Sequence, residues 1–356
     1  MKISLEELKK EAKIQGFPIV GAIKPHYFTE LKERLEQYVK EGHRFVFDNQ
    51  DLEEKCNPFL AMENCKTIIV LGLPYFTGEI KDSKADSKDF TLCGRLARTA
   101  WGEDYHRVFH RKMKNLGESL EKLFPNILYQ SYVDTGPLVD RYLAAKVNLG
   151  FYGFNNLFYH QQYGSYVFYG YMLIDHEVEF PEREKVLSKC ETSTLCEDCR
   201  QCIKVCPGEA IEKPYRVNAS RCISGILQMK GIIPDEDKVR IGNRIYGCDE
   251  CQEVCPYNQK LDYSSEPAFI PKDPPAYPDL IELLHLSNKE FRKIYGNNAS
   301  GWRGNRILKR NALIALGNNK DSRAVSHILP FAKDSREDLR NAALWALDRI
   351  KEKSEE

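Results

Sequence analysis

Cysteines crowd into one short segment of the chain, in a spacing that suits metal clusters. Eight of the twelve cysteines lie between residues 196 and 255: Cys196, Cys199, Cys202, Cys206, Cys222, Cys248, Cys251 and Cys255. Cys206 and Cys255 each precede a proline and each follow a Cys-x2-Cys pair. Thiolates with this spacing wrap iron–sulfur cubanes, and the cysteine before the proline reaches the neighbouring cluster. The spacing therefore predicts two 4Fe-4S clusters.

The two ligand sets are predicted to cross between the halves of this segment. Cys196, Cys199, Cys202 and Cys255 should hold one cluster, and Cys206, Cys222, Cys248 and Cys251 the other. A pair of zinc sites and a thiol-redox pair are the alternatives for such cysteines. The 25 residues 223–247 interrupt the ferredoxin pattern, and they form either part of a pocket or a plain loop.

The rest of the chain is too large for a simple electron carrier. Clusters of this kind move single electrons at about −400 mV. About 180 residues precede the cysteine segment and about 100 follow it. A further component should therefore receive the electrons. No G-x-G-x-x-G or P-loop motif occurs, so neither dinucleotide nor P-loop nucleotide binding is indicated.

Composition points to a cytoplasmic protein with no membrane association. Lys and Arg total 52, as do Asp and Glu, so binding to an anionic partner must use a local patch. No apolar run approaches ~18 residues, the length that a membrane span needs. The start of the chain reads as an amphipathic helix and lacks the apolar run of a signal peptide. In the cytosol, cysteines are metal ligands or catalysts more often than disulfides.

Hydrophobic patterns divide the chain into three predicted domains. Residues 1–180 should form an α/β domain, 181–262 a ferredoxin-like domain, and 263–356 a proline-rich linker followed by helices. The motifs RNALIAL (310–316) and RNAALWAL (340–347) repeat with a period of about 30, which predicts HEAT-like helix pairs. Within the first domain, we expect strands at 66–76, 126–135 and 164–175 and helices at 99–124 and 138–150.

Several stretches of the chain resemble the epoxyqueuosine reductase family of queuosine-tRNA maturation. They are 98–113, 133–153, the cysteine series, 222–231 and 301–318. The resemblance implies an α/β cobalamin-binding domain, an inserted two-cluster ferredoxin-like domain and a C-terminal HEAT-like helical repeat. It also implies reduction of epoxyqueuosine in tRNA to queuosine, with electrons passing from an unidentified low-potential donor through the clusters to cobalamin. No D-x-H-x-x-G motif occurs, so the implied corrinoid has no axial histidine from that motif.

The resemblance also implies which residues of this sequence form the active site. Asn57, Ala97, Asp134, Ser224 and Gly225 are expected near the corrin ring. Asp134 is expected to protonate the departing oxygen. An aspartate with the ordinary pKa of about 3.9 is ionised at neutral pH, so burial against the ring would have to raise its pKa. The alternative is a turn-capping aspartate, whose pKa would be lowered by backbone N–H groups.

The remaining candidates concern the substrate. Tyr105 and His106 are expected in the pocket, although a solvated helix face is the alternative for this stretch. Trp302 is placed to stack on a base, and nearby basic residues are predicted to contact tRNA phosphates. These are Arg303, Arg306, Lys309 and Arg310, and helical periodicity would place positions 303, 306 and 310 in a basic stripe on one face of a helix. For them too a solvated helix face is the alternative.

Two other functions compete with this interpretation. A reductive dehalogenase would use the same cofactors, but it would have no need of a basic helical tail, and the lack of an export signal also counts against it. A non-catalytic iron–sulfur electron-transfer protein would contain iron and sulfide but no cobalt. Metal analysis after anaerobic reconstitution with hydroxocobalamin separates this last possibility from the others.

Overall fold

The computed structural model describes residues 3–43, 51–78, 92–179 and 195–355, so the predicted boundary at 180/181 lies outside the described residues. Twelve strands are assigned in these ranges: β1 (Ile3–Ser4), β2 (Ile19–Ile23), β3 (Thr67–Pro74), β4 (Arg95–Leu96), β5 (Tyr129–Val133), β6 (Phe151–Tyr152), β7 (Phe158–Tyr159), β8 (Val167–Ile174), β9 (Val178–Glu179), β10 (Ile211–Lys213), β11 (Arg216–Val217) and β12 (Arg244–Tyr246).

Sixteen α-helices are assigned in the same ranges: α1 (Leu5–Ile14), α2 (Thr29–Lys40), α3 (Leu52–Cys56), α4 (Pro58–Ala61), α5 (Tyr105–Leu123), α6 (Asp140–Lys146), α7 (Leu195–Cys199), α8 (Gln201–Lys204), α9 (Ile223–Ile226), α10 (Asp235–Ile241), α11 (Glu250–Glu253), α12 (Leu280–His285), α13 (Asn288–Tyr295), α14 (Asn305–Asn319), α15 (Val325–Ile328) and α16 (Glu337–Glu355). Across the described part of the chain, no helix has the length and apolar character that a membrane span requires.

A four-stranded antiparallel sheet in the order β2-β3-β8-β5 organises the N-terminal half. Every residue of β3 is buried, and alternate side chains of a strand point to opposite faces. Ile69 and Leu71 pack into a core with residues of α1 and α5. Ile68 and Val70 pack into a second core with residues of α6. Helices therefore cover both faces of the sheet, as in the predicted α/β domain, although all of its strand pairs are antiparallel.

The predicted elements of this half are present with shorter bounds. β3, β5, β8 and α6 each lie inside the range predicted for them. Helix α5 begins at Tyr105 rather than at residue 99, because Asp104 caps it by accepting the His106 N–H. The predictions omit β2, whose five residues IVGAI form a run too short and too rich in small residues to stand out.

The C-terminal helices share one core with the segment between the two halves of the cysteine pattern. Helices α14 and α16, which carry the two repeated motifs, pack so closely that a Cβ on Gly317 would lie 2.8 Å from the Cα of Ala346. The same core contains Ile223 and Ile226 of α9 and Ile245 of β12. The segment 223–247 is thus packed against the C-terminal helices. Their HEAT-like assignment stays a prediction.

Candidate active site

Four cysteines from separate stretches line one cleft. They are Cys196, Cys199, Cys202 and Cys255. The first three lie on α7 and α8, and Cys255 follows α11. Burial, together with the charges of the neighbouring Cys255, Cys196 and Cys199, raises the pKa of the Cys202 thiol to about 11. The structure therefore brings together the first predicted ligand set.

The other four cysteines form a second group. Burial raises the pKa of Cys251 well above its ordinary value, and the charges of Cys248, Cys222 and Cys206 add to that rise. Burial is also the main reason why the pKa of Cys222 is raised, and Cys206 contributes to it. The cysteines that raise one another's pKa thus fall into the same two groups as the predicted ligand sets. The assignment of these groups as cluster ligands stays a prediction.

The donor chemistry of both groups fits iron–sulfur clusters. Each group offers four thiols, which as thiolates are the soft ligands that such clusters use. The first group surrounds a cleft, as a cubane would need. Among the described residues, no three His, Cys, Asp or Glu side chains are arranged to hold a single metal ion.

Asp134 follows the edge strand β5 and meets two side chains from the start of α5. The Tyr105 hydroxyl donates a hydrogen bond to Asp134 Oδ2 at 2.7 Å, and His106 Nε2 lies 3.6 Å from the same oxygen. On its other side, His106 Nδ1 lies 2.8 Å from Asp104 Oδ1. The Asp134 side chain is nevertheless 62% exposed. A carboxyl group, a phenol and an imidazole therefore converge at an open surface.

The charges in this group favour an ion pair at neutral pH. Desolvation lowers the pKa of His106, but the close contact with Asp104 and the negative charges of Asp104 and Asp134 outweigh it and raise the pKa to about 9. Desolvation raises the pKa of Asp134, but the attraction of the nearby His106 and the hydrogen bond from Tyr105 outweigh it and hold the pKa below its ordinary value. His106 is thus an imidazolium and Asp134 a carboxylate, so the expected rise in the Asp134 pKa is not seen in the protein alone.

The ion pair links stability to pH in a definite direction. The folded state binds the His106 proton more tightly than the unfolded chain does, whose histidine pKa is about 6.5. This contribution to stability is fully present below about pH 6.5 and is lost as the pH rises through about 9.

Ser224 and Gly225, two of the residues expected near the corrin ring, lie beside the second cysteine group. They belong to the first turn of α9, which begins directly after Cys222. The Gly225 N–H donates to the Cys222 carbonyl at 2.8 Å, and the backbone N–H groups of Ser224 and Gly225 lower the pKa of the Cys222 thiol. A ligand that contacts this turn would therefore be next to a cluster ligand.

Ala97 and Asn57, also expected near the ring, lie in different surroundings. The Ala97 N–H donates to the Tyr246 carbonyl at 2.9 Å. The Ala97 methyl group fills the space next to Gly247, where an added Cβ would lie only 2.4 Å from it. Ala97 is thus close in space to the stretch before Cys248. Asn57 instead caps α4, where its Oδ1 accepts the Phe59 N–H.

Two residues that were not predicted, Tyr246 and Gln228, connect these parts of the site. Burial raises the pKa of Tyr246, nearby carboxylates including Asp134 raise it further, and a hydrogen bond with Trp302 lowers it. Trp302 Nε1 donates to Gln228 Oε1 at 2.8 Å, and Gln228 Nε2 donates to the Ser224 carbonyl at 2.9 Å. Both residues belong to the segment 223–247, and their contacts favour the pocket over the plain loop.

The predicted basic stripe makes several contacts within the protein. Arg303 Nε donates to the Gln228 carbonyl at 2.8 Å. Arg306 is 51% exposed and binds both carboxylate oxygens of Asp338. Lys309 Nζ donates to a backbone carbonyl at 2.7 Å. These three side chains are partly committed to internal contacts, and their binding to phosphates stays a prediction.

Arg310 does not belong to an exposed stripe. Its side chain is only 1% exposed, and the guanidinium donates to the carbonyls of Leu227, Met229 and Gly231 at 2.6 to 3.1 Å. Burial lowers its pKa to about 10. The prediction that Arg310 contacts phosphate is therefore wrong, because its guanidinium is buried and bound to the backbone of a packed loop.

Comparisons with known proteins cover nearly the whole chain. The sequence model described as "Epoxyqueuosine reductase QueG, DUF1730" matches residues 55–135, and that described as "4Fe-4S double cluster binding domain" matches residues 195–258. Epoxyqueuosine reductase from Lactococcus garvieae is 37% identical over 355 residues, which cover 99% of this chain and 98% of that protein.

Solved structures agree with these matches. Epoxyqueuosine reductase crystallised with an epoxyqueuosine-modified tRNA-Tyr stem loop is 35% identical, with a TM-score of 0.89 over 97% of this chain and 89% of that one. The Bacillus subtilis enzyme, with its Asp134 catalytic loop swung out of the active site, is 33% identical, with a TM-score of 0.88 over 97% of this chain and 90% of that one. The chain belongs to the epoxyqueuosine reductase family of oxidoreductases.

Proposed function

We propose that this protein reduces epoxyqueuosine in tRNA to queuosine. Removal of the epoxide oxygen as water leaves an alkene and consumes two electrons and two protons. The observation that carries the proposal is the convergence of Asp134, Tyr105 and His106 at an open surface linked to the cysteine segment. Relatives that match this chain over nearly its full length carry the same name, and one was crystallised with an epoxyqueuosine-modified stem loop.

The proposed cofactors are two 4Fe-4S clusters and a cobalamin, with electrons from an external low-potential donor. The eight cysteines would hold the clusters in the two crossed sets. Ala97, Ser224 and Gly225 lie beside the second set and would border the corrin ring together with Asp134 and Asn57. Asp134 and Trp302, whose exposed fractions are 62% and 53%, leave an accessible face for a large ligand. When bound, these cofactors supply single electrons at low potential and a reducible metal centre.

Proton delivery is proposed to pass through Asp134. In the free protein the proton resides on His106, 3.6 Å from the carboxylate. A substrate that covers the exposed Asp134 side chain removes water from it, and desolvation raises the pKa of a carboxyl group. The proton then favours Asp134, which can donate it to the departing oxygen. Tyr105 holds the receiving carboxylate in place through its 2.7 Å hydrogen bond.

The C-terminal region is proposed to bind the tRNA. Residues 263–356 would form the HEAT-like part of the molecule, following the reductase domain of 1–180 and the cluster domain of 181–262. Trp302 supports this role, because it donates a hydrogen bond to Gln228 and neighbours Tyr246, whose pKa the Asp134 carboxylate also raises. A base held at Trp302 would be near the proposed proton donor.

The function is tested with anaerobically reconstituted protein. The protein, loaded with iron, sulfide and hydroxocobalamin, is incubated with a viologen reductant and tRNA that contains epoxyqueuosine. Nucleoside mass spectrometry should show queuosine replacing epoxyqueuosine. Halide release from a halogenated phenol without queuosine formation would support the dehalogenase alternative. Protein that takes up iron but no cobalt and forms no queuosine would support the electron carrier.

Neutralising the basic residues near Trp302 should weaken tRNA binding. In a variant with Arg303→Gln, Arg306→Gln and Lys309→Gln, the slope of log K against log salt should flatten by up to ~1 for each lost phosphate contact. Binding is measured by fluorescence anisotropy across a salt series. Activity on the isolated epoxyqueuosine nucleoside, if it is detectable, should change little.

A matched control removes three charges from outside the C-terminal region. Lys10, Lys13 and Lys24 are exposed in the N-terminal half, and their replacement by glutamine changes the net charge equally. The control variant should bind tRNA with an unchanged salt slope. Equal behaviour of the two triple variants would mean that residues 303–309 form only a solvated helix face.

A further inference from the structure

The turn that carries Asp134 is held by a second carboxyl group, that of Asp140. The Asp134 N–H donates a hydrogen bond to Asp140 Oδ2 at 2.6 Å. The Thr135 N–H donates to the Val133 carbonyl, also at 2.6 Å, and closes a three-residue turn around Asp134. Asp134 has φ of +56°, in the left-handed region that residues other than glycine, asparagine and aspartate seldom adopt. Such a conformation persists where surrounding contacts fix it.

Asp140 is rigidly placed to make this contact. It is the first residue of α6, whose side chains Tyr142 and Leu143 are buried in the core on one face of the sheet. Asp140 Oδ1 is buried and has no hydrogen-bond partner among the described residues. Among the described residues, the Asp140 side chain therefore makes one hydrogen bond, which it accepts from the Asp134 N–H.

A second anchor further along the same loop does not fix Asp134. The Leu138 N–H donates to the Tyr171 hydroxyl at 2.8 Å. That bond holds the far end of the loop on strand β8, four residues beyond Asp134. The φ angle of Asp134 is tied to the direction of its own N–H group. Since Asp140 binds that N–H group, Asp140 rather than Tyr171 fixes the angle.

We infer that Asp140 is a positioning residue, which acts by holding Asp134 in the conformation that meets Tyr105 and His106. This inference rests on the proposed role of Asp134. Without an acceptor at position 140, the turn is free to leave the left-handed region, and the Asp134 carboxyl group moves away from its two partners. Misplacement of a reacting group by about 1 Å can cost 10²-fold in rate.

Two variants distinguish the hydrogen bond that Asp140 accepts from the space that its side chain fills. Asp140→Asn keeps an acceptor oxygen and the shape of the side chain, whereas Asp140→Leu keeps the shape and removes the acceptor. In Asp140→Leu, we expect amide exchange at Asp134 to accelerate by at least ~10-fold, because its N–H is no longer paired. We expect kcat for epoxyqueuosine-tRNA to fall ~10- to 100-fold with KM nearly unchanged. Asp140→Asn should retain slow exchange and a kcat within ~3-fold of wild type.

Asp175→Leu is the matched control at the opposite end of strand β5. Its carboxyl group accepts the Leu128 N–H at 2.9 Å, as Asp140 accepts that of Asp134. This variant should speed exchange at Leu128 and leave both kcat and exchange at Asp134 unchanged. Asp140→Ala replaces Asp140→Leu if the latter does not fold, since it also removes the acceptor.

The outcomes that overturn the inference are distinct from failure of the proposed function. Normal kcat in Asp140→Leu despite fast exchange at Asp134 would refute it. Slow exchange at Asp134 in that variant, or equal loss of kcat in the Asn and Leu variants, would also refute it. If the wild-type protein forms no queuosine, the proposed function fails, but the exchange measurements still report whether Asp140 holds the turn.

Discussion

Replacing Asp134 with asparagine should lower the turnover of epoxyqueuosine-tRNA by at least ~100-fold, the lower end of what general acid catalysis contributes. Asparagine keeps the shape of the side chain and an oxygen that can accept the Tyr105 hydrogen bond. It cannot transfer a proton at neutral pH. The substitution leaves all eight cysteines in place, so the variant should fold and take up iron and cobalamin as the wild type does.

The same variant has a readout that does not depend on turnover. His106 loses one of the two carboxylates that raise its pKa, so its pKa should fall below the wild-type value of about 9. Histidine titration by NMR measures this change directly. Asp348→Asn, a substitution at an exposed position on α16, is the matched control and should alter neither quantity. Near-normal turnover with full cofactor content would remove Asp134 from the mechanism and direct attention to Tyr105 or His106.

Loss of Cys255 should remove the cluster that Cys196, Cys199 and Cys202 help to hold. Cys255 itself lies in the second half of the cysteine pattern, so this result would show that the ligand sets cross. In Cys255→Ala, iron should fall from about eight to about four per chain, since one cubane loses a ligand. The remaining EPR signal should match the cluster held by Cys206, Cys222, Cys248 and Cys251. Turnover should fall by at least ~100-fold, because the electron route is interrupted.

Cys206→Ala is the matched partner of this experiment, because Cys206 has the same position before a proline in the other half. It should remove the opposite cluster and leave the complementary EPR signal. If the Cys255→Ala signal matched that of Cys251→Ala rather than that of Cys199→Ala, the sets would not cross. Protein that contains about two zinc ions per chain and does not respond to dithionite would show that the site is not an iron–sulfur site at all.

Short sequence patterns predicted those features that depend on residues close together in the sequence. The apolar run of β3 reads as a buried strand because both of its faces are covered. Cysteine spacing indicated the two ligand sets because a cubane imposes short spacings on its ligands. The relatives confirm a double-cluster domain over residues 195–258.

The features of the site that could not be predicted depend on contacts between residues that are far apart in the sequence. Helical periodicity placed Arg310 on one face with Arg303, but it could not show that the loop 227–231 covers that face at Arg310. Tyr246 lacks a motif of its own, and its proximity to Asp134 depends on how β12 pairs with β4. The pKa of Asp134 likewise depends on Tyr105 and His106, which approach it only where α5 passes the end of β5.

The core shared by residues 223–245 and the C-terminal helices has a consequence for how the protein is made. Cys222 and Cys248 flank a segment whose apolar side chains share a core with residues of α14 and α16. A chain leaves the ribosome N-terminus first, at ~5–20 residues per second. The thiols of the second set are therefore expected to gain their native spacing only after α14 and α16 have been synthesised. Insertion of that cluster is accordingly expected to follow the synthesis of these two helices.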